Sequence, residues 1–207
     1  MKLKPEDLTQ QGYSLLDKLD HSELVPFVRM YIRKRTKFSV LYYFCNIASV
    51  ALIVFYFIKY NGSPGFSIGK GFSYMSYGLA FTLLLIPLHE FIHALAYKSQ
   101  GAKQTSYDMH LKKFYFLAMA DKFVANKREF QIVALAPFVI ISSSAIVGLF
   151  FAAPLWSFAM LGILLMHTAC CSGDFAMLSY FDFHNDISVV TYDDKENKVS
   201  YFYAKQN

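Results

Sequence analysis

Four long apolar runs constrain what this chain can fold into more than any other feature of the sequence. They cover residues 39–58, 74–95, 132–151 and 155–178. Each run is long enough, or nearly so, to cross the roughly 30 Å of hydrocarbon in a bilayer as a helix. Only 17% of the residues are charged, whereas a soluble domain usually carries about 25%. The sequence therefore predicts an all-α polytopic membrane protein with four transmembrane helices.

Lysine and arginine are distributed unevenly among the segments that flank the apolar runs. Residues 1–38 contain eight of them and residues 96–131 contain seven, whereas residues 59–71 contain two. Cytoplasmic loops of membrane proteins carry such an excess. Both termini and the loop around Lys112 are therefore predicted to be cytoplasmic. Because this distribution accounts for the net charge of +5, nucleic acid is not an expected partner.

The chain is predicted to form one membrane-embedded domain over residues 1–207. It has no secretory signal pattern, because the first apolar run begins near residue 39. Residues 1–38 are predicted to form cytoplasmic helices, residues 39–178 the four-span core and residues 179–207 a cytoplasmic tail.

The helical prediction for the N-terminal segment rests on leucine spacing and on two helix-boundary residues. Ser22 is a candidate cap for a second helix, which Pro26 would interrupt. The leucines with roughly helical spacing are Leu8, Leu15, Leu16 and Leu19.

Two further segments carry the alternation and aromatic content of strands. Residues 105–111 and 114–119 predict a cytoplasmic β-hairpin between spans two and three. Residues 187–192 and 199–204 predict a short β tail of the same form.

An H-E-x-x-H motif occupies residues 89–93 near the end of the second apolar run. Positions i and i+4 of a helix lie on one face, so His89 and His93 can offer two imidazole nitrogens to one metal ion. Glu90 lies beside that face, where it can take a proton from an attacking water molecule. Ionisable residues at membrane depth are costly and usually functional, so two packed histidines are the less favoured interpretation.

A catalytic zinc usually takes three protein ligands, and Asp174 is the best candidate for the third. It lies near the end of the fourth apolar run. Spans two and four would cross the membrane in the same direction, which brings Glu90 and Asp174 to a similar depth. Pairing with a metal would remove the cost of a lone buried carboxylate. The alternative is that Asp174 only marks the end of a helix at the headgroups.

Other polar residues remain open as minor candidates. His167 could be an alternative ligand, a hydrogen-bond partner of a ligand or a transition-state stabiliser, although a lone intramembrane histidine is more often a packing residue. Cys170 and Cys171 could bind zinc as thiolates, but buried cysteines usually serve packing. The residues expected to be solvated turn residues are His110, Asp182, His184 and Asp186.

With the H-E-x-x-H motif ending one span and Ser172-Gly173-Asp174 ending another, the chain resembles a bacterial family of domains of unknown function described as "putative zincin peptidase". That family is distantly similar to site-2-protease-like intramembrane metalloproteases. The resemblance implies that His89, His93 and Asp174 bind Zn²⁺ and that Glu90 is the catalytic acid and base. It also implies a location in the bacterial cytoplasmic membrane.

Two further features bear on the likeness to site-2 proteases. The Ala136-Pro137 step resembles the small-residue-proline element of those enzymes. Their third-ligand element has an Asn-Pro…Asp-Gly pattern, whereas here Gly173 precedes Asp174 and the Asn-Pro is absent.

The expected function is zinc-dependent hydrolysis of membrane-associated peptides or proteins near the cytoplasmic face. Two alternatives remain: a catalytically silent zincin-like membrane scaffold, and a metal-binding membrane protein that uses the histidines and cysteines. A retained Glu90 favours the peptidase, because a pure binding site does not need an acid or base at that position.

Overall fold

The computed structural model describes residues 2–110 and 115–206, and within these residues the chain is mostly helical with some antiparallel strands. The helices are α1 (Leu24–Ile32), α2 (Lys37–Tyr60), α3 (Ile68–Leu84), α4 (Ile86–Ser99), α5 (Lys127–Phe151), α6 (Pro154–Cys170) and α7 (Ser172–Phe183). The strands are β1 (Ser14–Asp20), β2 (Ser106–His110), β3 (Tyr115–Met119), β4 (Ala125–Asn126), β5 (Ile187–Asp194) and β6 (Val199–Gln206). Two single 3-10 turns occupy Pro5–Asp7 and His21–Glu23.

Two of the helices, α2 and α5, are by themselves long and apolar enough to cross a membrane. Their mean hydropathies are 2.0 and 2.3. Large apolar side chains on both helices remain exposed, among them Ile47, Ile58 and Phe150. Such surfaces are stable in lipid and rare in soluble monomers, which supports a membrane protein.

The second and fourth apolar runs are each folded as a bent pair of helices. The axes of α3 and α4 differ by 47° across Leu85, and those of α6 and α7 differ by 44° across Cys171. Pro87 lies in the first turn of α4, where its missing N–H leaves no helical hydrogen bond broken. Among the described residues there are therefore two apolar spans, or up to four if each bent pair crosses as one, and four spans remain a prediction.

The orientation prediction can be tested directly with reporter fusions. Fusions at Gly65 and at the C-terminus should report opposite sides of the membrane, because the Lys/Arg distribution places the 59–71 segment outside. Paired alkaline phosphatase and fluorescent-protein reporters give complementary signals for the two sides. If both positions report the same side, the argument that Glu90 and Asp174 lie near the same leaflet is lost.

The chain groups into two compact units that alternate along the sequence. Unit 1 contains Met1–Ser39, Glu90–Ala136 and Gly173–Asn207, and unit 2 contains Val40–His89 and Pro137–Ser172. The prediction of one domain over residues 1–207 stays a prediction.

Unit 2 is built on a close approach of α3 and α6. A Cβ atom added to Gly78 would lie 1.9 Å from the Ala159 carbonyl oxygen, and one added to Gly162 would lie 2.3 Å from the Met75 carbonyl oxygen. Small residues at a helix crossing allow backbones to touch, which is how helices gain packing energy in lipid. The two glycines therefore set the distance between these helices.

Gly78→Ala should destabilise unit 2 by about 1–3 kcal/mol, the usual cost of overpacking a tight contact. Gly69→Ala is a matched control in the same helix, because no atom lies within 4 Å of its added Cβ. Thermal unfolding of both variants in one detergent measures the difference. Equal melting temperatures would show that α3 and α6 do not depend on this contact.

Unit 1 contains a four-stranded antiparallel sheet in the order β1-β6-β5-β4. The β5–β6 hairpin closes through a turn in which the Asp194 carboxylate accepts the Asn197 N–H at 3.0 Å. These strands confirm the predicted β tail and extend it by two residues in each strand. A separate pair, β2–β3, follows α4. Its antiparallel pairing agrees with the two predicted strands in the residues described, whereas Leu111, Lys112 and Phe114 lie outside them. The cytoplasmic placement of this hairpin between spans two and three stays a prediction.

The N-terminal segment agrees only in part with its helical prediction, because α1 lies where the second helix was predicted and a strand replaces the first. Leu15, Leu16 and Leu19 lie in strand β1, which pairs with β6. Only Leu19 of the three is buried, so the spacing of the leucines did not mark the buried face of a helix. The structure of this segment is decided by its pairing with the distant strand β6. Asp20, not Ser22, caps the following 3-10 turn. Pro26 lies in the first turn of α1, a position that proline tolerates.

A buried polar network in unit 1 predicts a pH dependence of stability. The Ser200 hydroxyl donates to Asp193 Oδ1 at 2.6 Å, and its oxygen lies 3.2 Å from His21 Nε2. Burial raises the pKa of the Asp193 carboxyl from 3.8 to about 6, and the neighbouring Asp121 adds to the shift.

Because the folded state of Asp193 holds its proton more tightly than the unfolded state, stability should fall as the pH rises from about 4 to about 6. Asp193→Asn keeps an oxygen for Ser200 and should remove this fall. His21, whose pKa is lowered by burial, is present in both proteins, so the difference between the two unfolding profiles isolates Asp193. Parallel profiles over this pH range would contradict the expectation.

Candidate metal centre

Helix α4 carries the H-E-x-x-H motif in its first two turns. The helix begins at Ile86 directly after the break at Leu85. His89 and His93 lie one helical turn apart, and their rings therefore project from the same face. Glu90 is rotated by about 100° from His89 around the helix axis. The predicted helical placement of the motif is confirmed.

Both ring nitrogens of His93 face oxygen atoms that accept hydrogen bonds. Nδ1 lies 2.9 Å from the carbonyl oxygen of Val133, so Nδ1 carries a hydrogen. Nε2 lies 3.2 Å from Asp174 Oδ1, and a carboxylate also only accepts. A ring nitrogen with a lone pair would repel that carboxylate. A hydrogen, carried by the ring or by the carboxyl group, or a metal ion is therefore required between Nε2 and Oδ1.

Asp174 lies in the first turn of α7, after the break at Cys171. The positive end of the helix dipole stabilises a negative charge at this position. Its side chain is largely buried, with 18% of its surface exposed. The structure thus brings His93 and Asp174 together, as the sequence predicted for two of the three ligands.

The Glu90 carboxylate is held by the backbone of β3. Its Oε2 accepts the N–H of Ala118 at 2.7 Å. Alternate residues of an antiparallel pair direct their N–H groups toward the partner strand and away from it. The Ala118 N–H, opposite Tyr107 of β2, is directed away from β2 and toward Glu90.

His89 contacts His167 within unit 2. The distance from His89 Nδ1 to His167 Nε2 is 3.2 Å, and one of the two nitrogens donates. His167 Nδ1 lies 3.2 Å from the Ser142 hydroxyl oxygen. His167 and Cys171 are buried, and the donor atoms of these two residues and His89 lie within 4.8 Å of one another. His167 is therefore a partner of the motif, one of the roles that the sequence left open.

The remaining candidates have structural partners or lie apart from these groups. Asp182 Oδ2 accepts the N–H of Lys37 at the start of α2, where an anion stabilises a helix N-terminus. His184 Nδ1 lies 3.0 Å from the Tyr180 carbonyl oxygen. Cys45, Cys170 and Cys171 form no disulfide bond among the described residues. His110 is placed in β2, but its side chain lies outside the described residues.

Two partners of the motif, the Val133 carbonyl and the Ala118 amide, were missed by the sequence analysis. Both are backbone groups, so their residue types carry no signal. For Val133 an indirect signal exists, because a proline follows four residues later.

Comparison with known families gives one match that covers just over half of the chain. The family described as "putative zincin peptidase" matches residues 82–186, a range that includes the H-E-x-x-H motif and Asp174. No curated protein and no solved structure matches the chain.

Proposed function

The chain belongs to the family described as "putative zincin peptidase", and on this premise we propose that it is a zinc-dependent membrane peptidase. Its substrates are membrane-associated peptides or proteins, and it cleaves them near the cytoplasmic face of a bacterial membrane. The family membership supports a metallopeptidase, and the apolar helices support a membrane location. We also propose that the chain is distantly similar to site-2 proteases.

The observation that carries the proposal is the arrangement around His93. Nδ1 is fixed as a donor to Val133, while Nε2 faces the Asp174 carboxylate. The 3.2 Å between Nε2 and Oδ1 places an imidazole nitrogen beside a carboxylate oxygen. Both are donor types that zinc takes in proteins, so these two residues would hold the ion together.

His89 would be the third ligand, because it lies one helical turn before His93 on the same face. Its Nδ1 contacts His167, and we propose Nε2 as the nitrogen that binds the metal. Ligating histidines usually hold a fixed partner at the other ring nitrogen, and both histidines of the motif have one. Two imidazoles and one carboxylate leave a fourth position for a water molecule or substrate.

When bound, a zinc ion supplies Lewis-acid activation of the scissile carbonyl and of water. Glu90 is the group that accepts and donates the proton. Its carboxylate takes one proton from the attacking water as the water oxygen bonds to the carbonyl carbon. The same carboxyl passes that proton to the departing nitrogen as the C–N bond breaks. Glu90 ends each cycle ionised, as it began.

Strand β3 would hold the substrate next to Glu90. An extended peptide can add to a strand edge through backbone hydrogen bonds, and the edge of β3 that carries the Ala118 N–H points at the catalytic carboxylate. A peptide bound there would take the Ala118 N–H as one of its donors. Substrate and Glu90 therefore compete for one hydrogen, and binding would release the carboxylate for catalysis.

Cleavage of a bilayer-embedded peptide by the purified protein tests the proposal. The peptide should contain a helix-destabilising stretch near its cytoplasmic end, because a folded helix hides its scissile bonds. Cleavage should stop on addition of a zinc chelator and return when zinc is restored. Product masses locate the cleaved bond. Chelator-insensitive cleavage would contradict a metallopeptidase.

One observation favours a second candidate, a metal-binding membrane protein. His89, His167 and Cys171 bring two nitrogens and one sulfur within 4.8 Å, a donor set that suits zinc or Cu(I). In this case the metal would be retained after loss of Asp174 and released after loss of His167 or Cys171. If the protein is the proposed peptidase, the metal should instead be released after loss of Asp174.

A further inference from the structure

Pro137 lies in the interior of α5, four residues after Val133. In a regular helix the N–H of residue 137 would donate to the Val133 carbonyl. Proline has no N–H, and its ring also crowds the carbonyl of the residue four positions earlier. The Val133 carbonyl is therefore deprived of its helical partner by the sequence itself.

The Val133 carbonyl takes its hydrogen bond from His93 instead. The Nδ1–O distance of 2.9 Å is typical of a good N–H···O bond. Val133 and His93 are buried, with 2% and 7% of their surfaces exposed. A buried carbonyl needs a partner, so this bond satisfies both the carbonyl and the ring.

We propose that Pro137 is a positioning residue for the metal centre. Because proline has no N–H, the Val133 carbonyl has no helical donor and accepts its hydrogen bond from His93. This bond fixes a hydrogen of the His93 ring on Nδ1. Nε2 is then the nitrogen that faces Asp174 and the metal. This inference rests on the proposed function for its consequence in zinc binding, but the hydrogen bond from Nδ1 to Val133 can be measured without metal.

Pro137→Ala separates this role from a merely structural one. Alanine restores the N–H at position 137 and so offers the Val133 carbonyl its ordinary helical partner, in competition with His93. The same change favours the helix, because alanine is the best helix former. A positioning role therefore predicts weaker metal binding in a protein that is folded at least as well.

The experiment compares the full-length wild type, Pro137→Ala and Pro154→Ala in one detergent. Pro154 is the first residue of α6, where a restored N–H displaces no helical bond, so it is the matched control. Zinc affinity is measured by competition with a chromophoric chelator. Pro137→Ala should bind zinc about 10–100-fold more weakly, the usual effect of losing the hydrogen-bond partner of a ligating histidine. Pro154→Ala should bind as the wild type does.

A spectroscopic readout tests the hydrogen bond of Nδ1 directly. In metal-free protein labelled with ¹⁵N-histidine, the His93 signal is assigned by its absence from His93→Gln. The Nδ1–H of the wild type should exchange slowly with solvent, because it is bonded to the buried Val133 carbonyl, and in Pro137→Ala it should exchange faster. Replacing Pro137 with an α-hydroxy acid gives an ester, which lacks an N–H but has no ring. This ester variant should restore both the slow exchange and the affinity.

Each outcome decides the question. Wild-type affinity and an unchanged Nδ1–H signal in Pro137→Ala would overturn the proposal. An ester variant as defective as Pro137→Ala would also overturn it, because the ring and not the missing N–H would then matter. If Pro137→Ala does not fold, the comparison of the ester variant with the wild type carries the test. If the wild type binds no zinc, the proposed function fails, while the exchange rate of the Nδ1–H still tests Pro137.

Discussion

We expect Glu90→Gln to reduce peptide cleavage by at least about 10²-fold, the low end for loss of a general base, while zinc remains bound. Glutamine keeps the size of the side chain and its oxygen, so it can still accept the Ala118 N–H. It cannot take a proton from the attacking water. Initial rates on a bilayer-embedded peptide, with zinc content determined on the same preparations, measure both effects.

Glu129→Gln is a suitable control for the Glu90 variant. Glu129 also lies in unit 1 and also accepts a backbone N–H, that of Asn126, at 3.0 Å. It should cleave at the wild-type rate. If Glu90→Gln leaves both cleavage and any cellular phenotype intact, the peptidase is the wrong conclusion and the silent scaffold takes its place.

The second large effect concerns metal content. Purified wild type should carry about one zinc per chain, since three protein ligands with an open position suit that ion. His89→Ala, His93→Ala and Asp174→Ala should each lower the occupancy, because each removes one ligand. Elemental analysis after dialysis against a weak chelator gives the occupancies. Asp174→Asn replaces the carboxylate with a neutral amide, so it should bind zinc more weakly than the wild type, and it can be compared with the alanine variant.

Two histidine controls accompany these variants. His184→Ala removes a ring that contacts the Tyr180 carbonyl, and His110→Ala removes the predicted turn histidine. Neither should change zinc content. Full retention of zinc by Asp174→Ala, together with its loss from His167→Ala, would instead support the site of His89, His167 and Cys171.

The H-E-x-x-H helix and the C-terminal hairpin could be predicted from the sequence because their signals are local. Spacing within one turn defines the face of α4, and alternation around a polar turn defines β5 and β6. Strand β1 could not be predicted in this way. Its partner, β6, follows about 180 residues later, and the leucine spacing in β1 is compatible with a helix. Long-range pairing outweighed a weak local preference.

The breaks in the two bent helix pairs also could not be predicted from hydropathy. A window average treats residues 74–95 as one run, although Leu84 ends one helix and Ile86 begins the next. Prediction of the site was limited in a different way. The side chains of His93 and Asp174 could be anticipated from residue types, whereas Val133 and Ala118 act through backbone atoms that every residue shares.

The hydrogen bond between Glu90 and Ala118 bears on which proteins the proposed peptidase would leave intact. A helix in the bilayer uses its carbonyl groups internally, so it has none to offer to Ala118 in exchange for the carboxylate. A segment that has lost its helical structure over a few residues does. On the proposed mechanism, neighbouring transmembrane helices are spared because they are folded, and damaged or unassembled ones are recognised by their exposed backbone, whatever their sequence.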